Sequence, residues 1–255
     1  MICKNLFCLL LTFFLLLICP YFANAEKSLP EFQIMTENWK PYNYSENGKI
    51  KGLSTDILIL MLKKTGSTQG REDIKIYPWA RSYKIALLNP DTILYSTVRT
   101  KKRDKIFKWV GPITEIKLNI YALKEKNIEI DSFEDMKKYK IGTLRDDVTE
   151  DMLAEITGMD VKEFQQVHSN ILNTRKLYFG RVDLIAQSRD TLLATCKREG
   201  LDPERFEAVT SLGTKDLYYA FHKSTSEVVI KTFQNAFDDL KKNGKVSEIL
   251  NKYGK

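Results

Sequence analysis

The chain has 255 residues, 43% of them hydrophobic and 29% charged, enough apolar content for one or two packed cores. Its 40 Lys and Arg exceed its 33 Asp and Glu, a formal net charge of +7 that by itself admits nucleic acid, an anionic surface or an anionic ligand. The lysines are interleaved with acids, as at Lys137-Lys138 beside Glu134-Asp135, and no zinc-finger, RNA-binding or phosphate-loop motif accompanies them. That pattern is a solvated face and argues against a nucleic-acid partner.

At the N-terminus Lys4 precedes an apolar run from Leu6 to Ile18, then Pro20 and Ala23-Asn24-Ala25. One positive charge, an apolar stretch short for a bilayer and an Ala-x-Ala site predict a signal peptide over residues 1–25, cleaved after Ala25. A retained anchor is the alternative, opposed by Pro20 and the small-residue site. Cys19 follows the bulky Ile18, which opposes lipidation. Cys3, Cys8 and Cys19 fall in the removed segment, so the mature chain keeps Cys196 alone and forms no internal disulfide. The expected location is a bacterial periplasm, with stability supplied by the cores.

Phe32–Met35 predicts the first strand, followed by a loop from Glu37 to Tyr44. Leu53, Ile57, Leu60 and Met61 recur at helical spacing and predict a helix over 52–64, with Ser54 or Thr55 as its N-cap. A second strand is expected at Ile74–Tyr77, a helix at Trp79–Leu88 stopped by Asn89-Pro90, and a third strand at Ile93–Ser96. This order is one wound half of an open sheet, which places ligands at the carboxyl ends of its strands. The loops there are Glu37–Tyr44, Tyr77–Arg81 and Ser96–Arg103.

A similar unit begins near Ile120. A helix opens at Ser132, followed by a strand over Lys140–Leu144, a helix over Val148–Ile156 and a short strand at Val167. Then come a helix over Asn170–Tyr178, a strand over Val182–Ala186 and a helix over Thr191–Arg198. A strand at Asp216–Phe221 and helices over Glu227–Asn243 and Val246–Tyr253 complete the chain.

The most informative stretch runs from Ser96-Thr97-Val98-Arg99-Thr100-Lys101-Lys102-Arg103 through Phe107 and Trp109 to Gly111-Pro112. An arginine just past a strand end, beside hydroxyls and backbone N–H groups, suits a carboxylate gripped through two parallel bonds. An ordinary basic surface turn is the plainer reading. The spacing from Arg103 to Pro112 resembles the ligand-carboxylate clamp of the bacterial extracellular solute-binding proteins of family 3, the polar amino-acid receptors of ABC importers. The likeness extends along the mature chain: the aromatic loop after the first strand, the Ile141-Gly142-Thr143 strand, Gly180-Arg181-Val182-Asp183, and the ending from Phe237 to Tyr253.

The resemblance implies an α/β, two-lobed periplasmic-binding-protein fold (type II) with two hinge crossings and a ligand cleft between the lobes. It places lobe I at 26–118 and 216–255 and lobe II at 119–215. Arg103 is then expected to hold the ligand's carboxylate, with a surface ion pair to Asp104 or Glu115 as the alternative. Ser96 and Thr97 supply hydroxyls and N–H groups, and Arg99 adds a second cation or faces solvent. Family members often carry Ser or Thr where this chain has Val98. Tyr42 and Trp79 are expected to cover the ligand, although Trp79 also reads as a core residue. Asp146 and Asp147 read as helix caps or as partners for an ammonium. Amino-acid-binding members carry an aspartate for the ligand's ammonium at the position of Ser188; either Asp190 replaces it or the ligand lacks that group.

No metal or other cofactor is expected, since His168 and His222 stand apart without ligand-spaced partners. The expected function is a monomeric receptor that closes on a small carboxylate-bearing solute, an amino acid or analogue, and delivers it to an inner-membrane ABC permease. Two alternatives are a cyclohexadienyl-dehydratase-like enzyme, with Glu37, Asp146 or Asp147 as its acid, and a sensor input without transport.

Overall fold

Residues 29–255 are described by a computed structural model; the expected signal peptide lies outside the described residues. Strand β1 (Gln33–Thr36) is followed by a hairpin of β2 (Tyr44–Glu46) and β3 (Lys49–Lys51). Asn47 and Gly48 form its two-residue turn, both left-handed at φ 52° and 72°, the conformation an Asn-Gly pair favours. Gly52 then takes φ 123°, and a Cβ there would sit 2.3 Å from the Tyr42 carbonyl oxygen. Only glycine lets the chain pass this close.

Helix α1 (Leu53–Lys64) starts directly after Gly52. Ser54 and Thr55, expected as caps, lie inside it and are fully buried. Their hydroxyls meet Ser96 and Tyr95 on the neighbouring strand instead. Next come β4 (Lys75–Ile76), α2 (Trp79–Leu88) and β5 (Thr92–Val98), all seven residues of the last being buried. Continuous burial is what a strand covered on both faces requires.

The 17-residue strand β6 (Phe107–Leu123) leads into β7 (Ile141–Leu144), α3 (Val148–Thr157), β8 (Gln165–Val167) and α4 (Asn170–Tyr178). The chain continues through β9 (Leu184–Ser188), α5 (Arg189–Glu199), a second 17-residue strand β10 (Phe206–His222), α6 (Glu227–Lys242) and α7 (Lys245–Lys252). The helix expected at Ser132 is a 3-10 segment, Phe133–Lys138, capped by Ser132.

Eight strands share one sheet in the order β4-β1-β5-β10-β6-β9-β7-β8. Each outer triplet is parallel, and the long antiparallel pair β6–β10 joins them. Strand β10 pairs with β5 through Leu217–Phe221, whereas β6 pairs with β9 through Leu118–Tyr121. Between these contacts Glu115–Lys117 runs opposite Thr214–Asp216 with only each other as partners. These two connections make the fold two-lobed, with the cleft on the side where β1, β5, β7 and β9 end. Phe32, Phe221 and Phe233 meet edge to face at 5.1–5.7 Å and fasten α6 to the first lobe; such pairs add about 0.5–1.5 kcal/mol each beyond burial. Cys196 is buried in the second lobe beside Leu192 and Phe206, and burial pushes its thiol up, away from nucleophilic use.

Candidate functional site

Between the lobes lies a cavity that opens to solvent. The first lobe lines it with Glu37, Trp39, Trp79, Ser96 and Arg103, and the second with Asp147, Thr149, Asn170, Gln187 and Ser188. The lobes touch across it. Trp79 Nε1 and Arg103 Nη2 both donate to the Asp146 carbonyl, at 2.8 and 3.3 Å, and Trp39 Nε1 donates to Thr191 Oγ1 at 2.6 Å. At the rim Lys102 pairs with Asp151. The arrangement is closed.

Arg103 opens a 3-10 turn after β5, is 1% exposed, and makes no salt bridge among the described residues. Its Nη1 donates to the Val98 carbonyl at 3.1 Å, its guanidinium lies 5.3 and 5.1 Å from the Trp79 and Tyr83 ring centres, and its Nε–H has no partner. A buried cation with donors to spare is a strong attractor for an anion. The Asp104 carboxylate that offered a surface pair is taken by Arg99 at 2.6 Å. Arg99 sits between Trp109 and Tyr218 and does not line the cavity.

Ser96 reaches the cavity through a bulge. Strand β10 pairs Tyr219 with Tyr95 and Tyr218 with Thr97, passing over Ser96, which sits at φ 59°. The bulge turns Ser96 out of the ladder, and its Oγ donates to Ser54 Oγ at 2.9 Å. Thr97 stays in the ladder, fully buried, with its hydroxyl on the Leu94 carbonyl; it does not line the cavity.

Trp79 lines the cavity and stacks at 5.6 Å on Tyr83, so it is both a wall and a core residue. Tyr42 lies one layer back, fully buried against Trp39 at 4.6 Å, and Trp39 is the aromatic that faces the cavity. In the second lobe Ser188 lines the cavity while its Oγ caps α5 and bonds Thr191 Oγ1 at 2.7 Å. Asp190 points away from the cavity lining, to Lys255 and to the Tyr42 hydroxyl. Asp147 caps α3, accepting from the Thr149 N–H and hydroxyl at 2.9 and 2.6 Å. Asp146 takes a left-handed conformation (φ 60°) that presents its carbonyl to the opposite lobe.

The charged side chains lining the cavity are Arg103, Asp147 and Glu37. Glu37 follows β1, is 8% exposed, and no donor among the described residues bonds its carboxyl. Burial, helped by the Asp147 charge and opposed by Arg103, pushes its pKa up to about 8. The sequence points to Glu37 only as a catalytic acid, and gives Thr149, Asn170 and Gln187 no role. The signal that could have found Glu37 is its place directly after a strand end, where cleft residues gather.

A family model of the bacterial extracellular solute-binding proteins, family 3, matches residues 33–255. A probable histidine-binding protein of Campylobacter jejuni subsp. jejuni serotype O:2 is 23% identical over 85% of this chain and 81% of its own. A probable amino-acid-binding protein of Bacillus subtilis (strain 168) is 23% identical over 84% and 79%. Among solved structures, a histidine kinase sensor domain similar to periplasmic binding proteins superposes with a TM-score of 0.78 at 17% identity, covering 89% of this chain and 96% of that one. Fold, order of elements and family model coincide from β1 to the last helix: the chain belongs to the bacterial extracellular solute-binding proteins, family 3.

Proposed function

We propose that the protein is a periplasmic receptor, secreted by cleavage after Ala25, that closes on a small carboxylate-bearing solute of amino-acid type and presents it to an inner-membrane ABC permease. Lobe I spans 26–118 and 216–255, and lobe II spans 119–215. The observation carrying this reading is Arg103, a fully buried guanidinium in the cleft without a protein carboxylate. The ligand's carboxylate supplies the missing charge, Trp39 and Trp79 cover the carbon skeleton, and the Asp146 carbonyl ties both lobes together. The amino-acid-binding names of the relatives agree with it.

The test is a thermal-shift screen of the refolded protein against the twenty amino acids, their deaminated analogues and small dicarboxylates. A ligand that binds only the folded state at a hundred times its Kd stabilises it by about 2.7 kcal/mol. A rise for one of these acids, lost in Arg103→Ala, supports the reading; the same rise in Arg103→Ala removes it.

Two other readings each have one observation behind them. The buried Glu37 carboxyl, raised to about 8, suits a general acid and favours an enzyme acting on a prephenate-like acid, tested by turnover. The likeness to a sensor domain favours docking on a membrane sensor, tested by which membrane protein a crosslinked complex contains.

A further inference from the structure

The cleft holds a second buried charge-bearing group with no protein partner. Glu37 faces the same cavity as Arg103, and its carboxyl receives no hydrogen bond among the described residues. The other charged or strand-end oxygens near the cavity are held at least in part by the protein. Ser188 has no charge and spends its hydroxyl on Thr191 and on capping α5. Asp190 is held by Lys255 and Tyr42 outside the lining. Asp147 is fixed as the cap of α3 by two bonds from Thr149, both on Oδ1, while its Oδ2 accepts none among the described residues.

We propose that Glu37 receives the ammonium group of the ligand, so that the site selects a zwitterion and expels a proton from Glu37 as the lobes close. This rests on Arg103 holding the carboxylate. The argument is charge balance in a cavity walled by Trp39, Trp79, Val148 and Leu118. A carboxylate ligand neutralises Arg103. An ionised Glu37 beside it would then be a buried anion with no counter-charge, next to Asp147, which a dry cleft disfavours strongly. A zwitterion gives each buried charge a partner, whereas an acid without an amine leaves Glu37 no choice but to keep its proton. Glu37 thus distinguishes the two ligand classes, a task Ser188 has no charge to perform.

The groups facing Glu37 are Arg103 from the turn after β5 and Asp147 from the loop before α3; both histidines lie outside the cavity lining. In the closed arrangement burial raises the Glu37 pKa to about 8, and parted lobes that hydrate the carboxyl lower it, so a zwitterion should release up to about 0.9 proton per site at pH 7. Its affinity should rise from pH 6 to pH 8, by up to about 50-fold. An amine-free acid should release none, and its affinity should fall about twofold over the same interval.

The experiment is isothermal titration of the full secreted chain in buffers of different ionisation enthalpy, between pH 6 and 8. The probes are the L-amino acid giving the largest thermal shift and that amino acid with its amine replaced by hydrogen. Proton release with the amino acid, absent with its analogue and absent in Glu37→Gln, supports the proposal. So does retention of analogue affinity within about threefold in that variant while the amino acid loses tenfold or more. Binding of an amino acid without proton release overturns the proposal and leaves the Arg103 reading standing, as does a response to amine-free acids alone. Binding that Arg103→Ala leaves intact overturns both. The wild-type proton count decides the matter even where Glu37→Gln fails to fold.

Discussion

Replacing Glu37 by glutamine should make the protein's stability less sensitive to alkali, and the size of the effect follows from its surroundings. In the closed fold Glu37 is 8% exposed and its carboxyl lacks a donor among the described residues; burial, then the Asp147 charge, lifts its pKa from 4.5 to about 8. Below pH 4.5 both folded and unfolded chains hold the proton, and Glu37 has no effect on the pH dependence. Between 4.5 and about 8 the unfolded chain releases the proton while the folded chain retains it, so stability falls as pH rises through that window. The full penalty above that window is about 5 kcal/mol, and at pH 7 it is about 3 kcal/mol. Both are ceilings, because the lobes can part and hydrate the carboxylate. A chain of this size gains about 2–4 °C in Tm per kcal/mol, so we expect Glu37→Gln to melt about 5–10 °C higher relative to wild type at pH 7.5 than at pH 4.5. The buried amide carries a constant offset of its own, about 1–3 kcal/mol if unpaired, so the change in the gap with pH is the quantity to read. Calorimetric scans of both proteins without ligand at five pH values supply it. A Tm gap that stays flat from pH 4.5 to 8 would refute the picture of Glu37 as a buried, donor-less acid.

Asp147→Asn keeps a capping side chain for α3 but removes a negative charge that raises Glu37; the midpoint of the Glu37 transition, read by carboxyl NMR or by proton release, should move to lower pH while melting at pH 4.5 changes by less than about 1 kcal/mol. Trp39→Phe and Trp79→Phe each delete one hydrogen bond across the cleft, to Thr191 and to Asp146. Each should weaken ligand binding about 3–10-fold, mainly by faster dissociation in stopped-flow. Asp190→Ala breaks a rim pair with Lys255 in which Asp190 is 41% exposed, an interaction worth about 0–1 kcal/mol. Ligand affinity measured by titration should change less than about threefold in that variant, and a loss comparable to that of Glu37→Gln would make Asp190 the ammonium partner.

The alternation of strands and helices was legible because each element carries its own signal. The predicted bounds Trp79–Leu88 and Asn170–Tyr178 coincide with α2 and α4, and Val148–Ile156 is one residue short of α3. Periodicity did not reveal that β6 and β10 each run for 17 residues, since a strand that leaves one lobe for another changes its buried face on the way. The β2–β3 hairpin was missed although Asn47-Gly48 announces it, because its strands are three residues long and half exposed. Of the cavity lining, Arg103 was pointed to by the family resemblance that its spacing to Pro112 carries, and Ser96 by its place at a strand end. Whether Tyr42 or Trp39 faces the cavity, or Ser96 or Thr97, turns on a local bulge and on layer depth, and neither leaves a mark in composition. Glu37 matters only through what surrounds it after folding: its burial and its nearness to Asp147, a residue 110 positions away.

If Arg103 holds the ligand's carboxylate as proposed, it also makes binding and closure one event. Its guanidinium donates to Val98 in its own lobe and to the Asp146 carbonyl in the other, while Nε–H has no protein acceptor. Trp79, whose ring packs by that guanidinium, donates to the same carbonyl. A carboxylate that fixes Arg103 therefore also fixes the donor pair that holds Asp146, and through it the N-terminus of α3. Without an anion, closure buries an uncompensated cation, which opposes it. With an anion present the same burial strengthens the contact, because the surrounding dielectric falls as water leaves. The lobes thus need no separate latch to sense occupancy. On the proposed reading the charge that recognises the ligand is also part of the bridge that closes over it, and that shared use ties affinity to conformation.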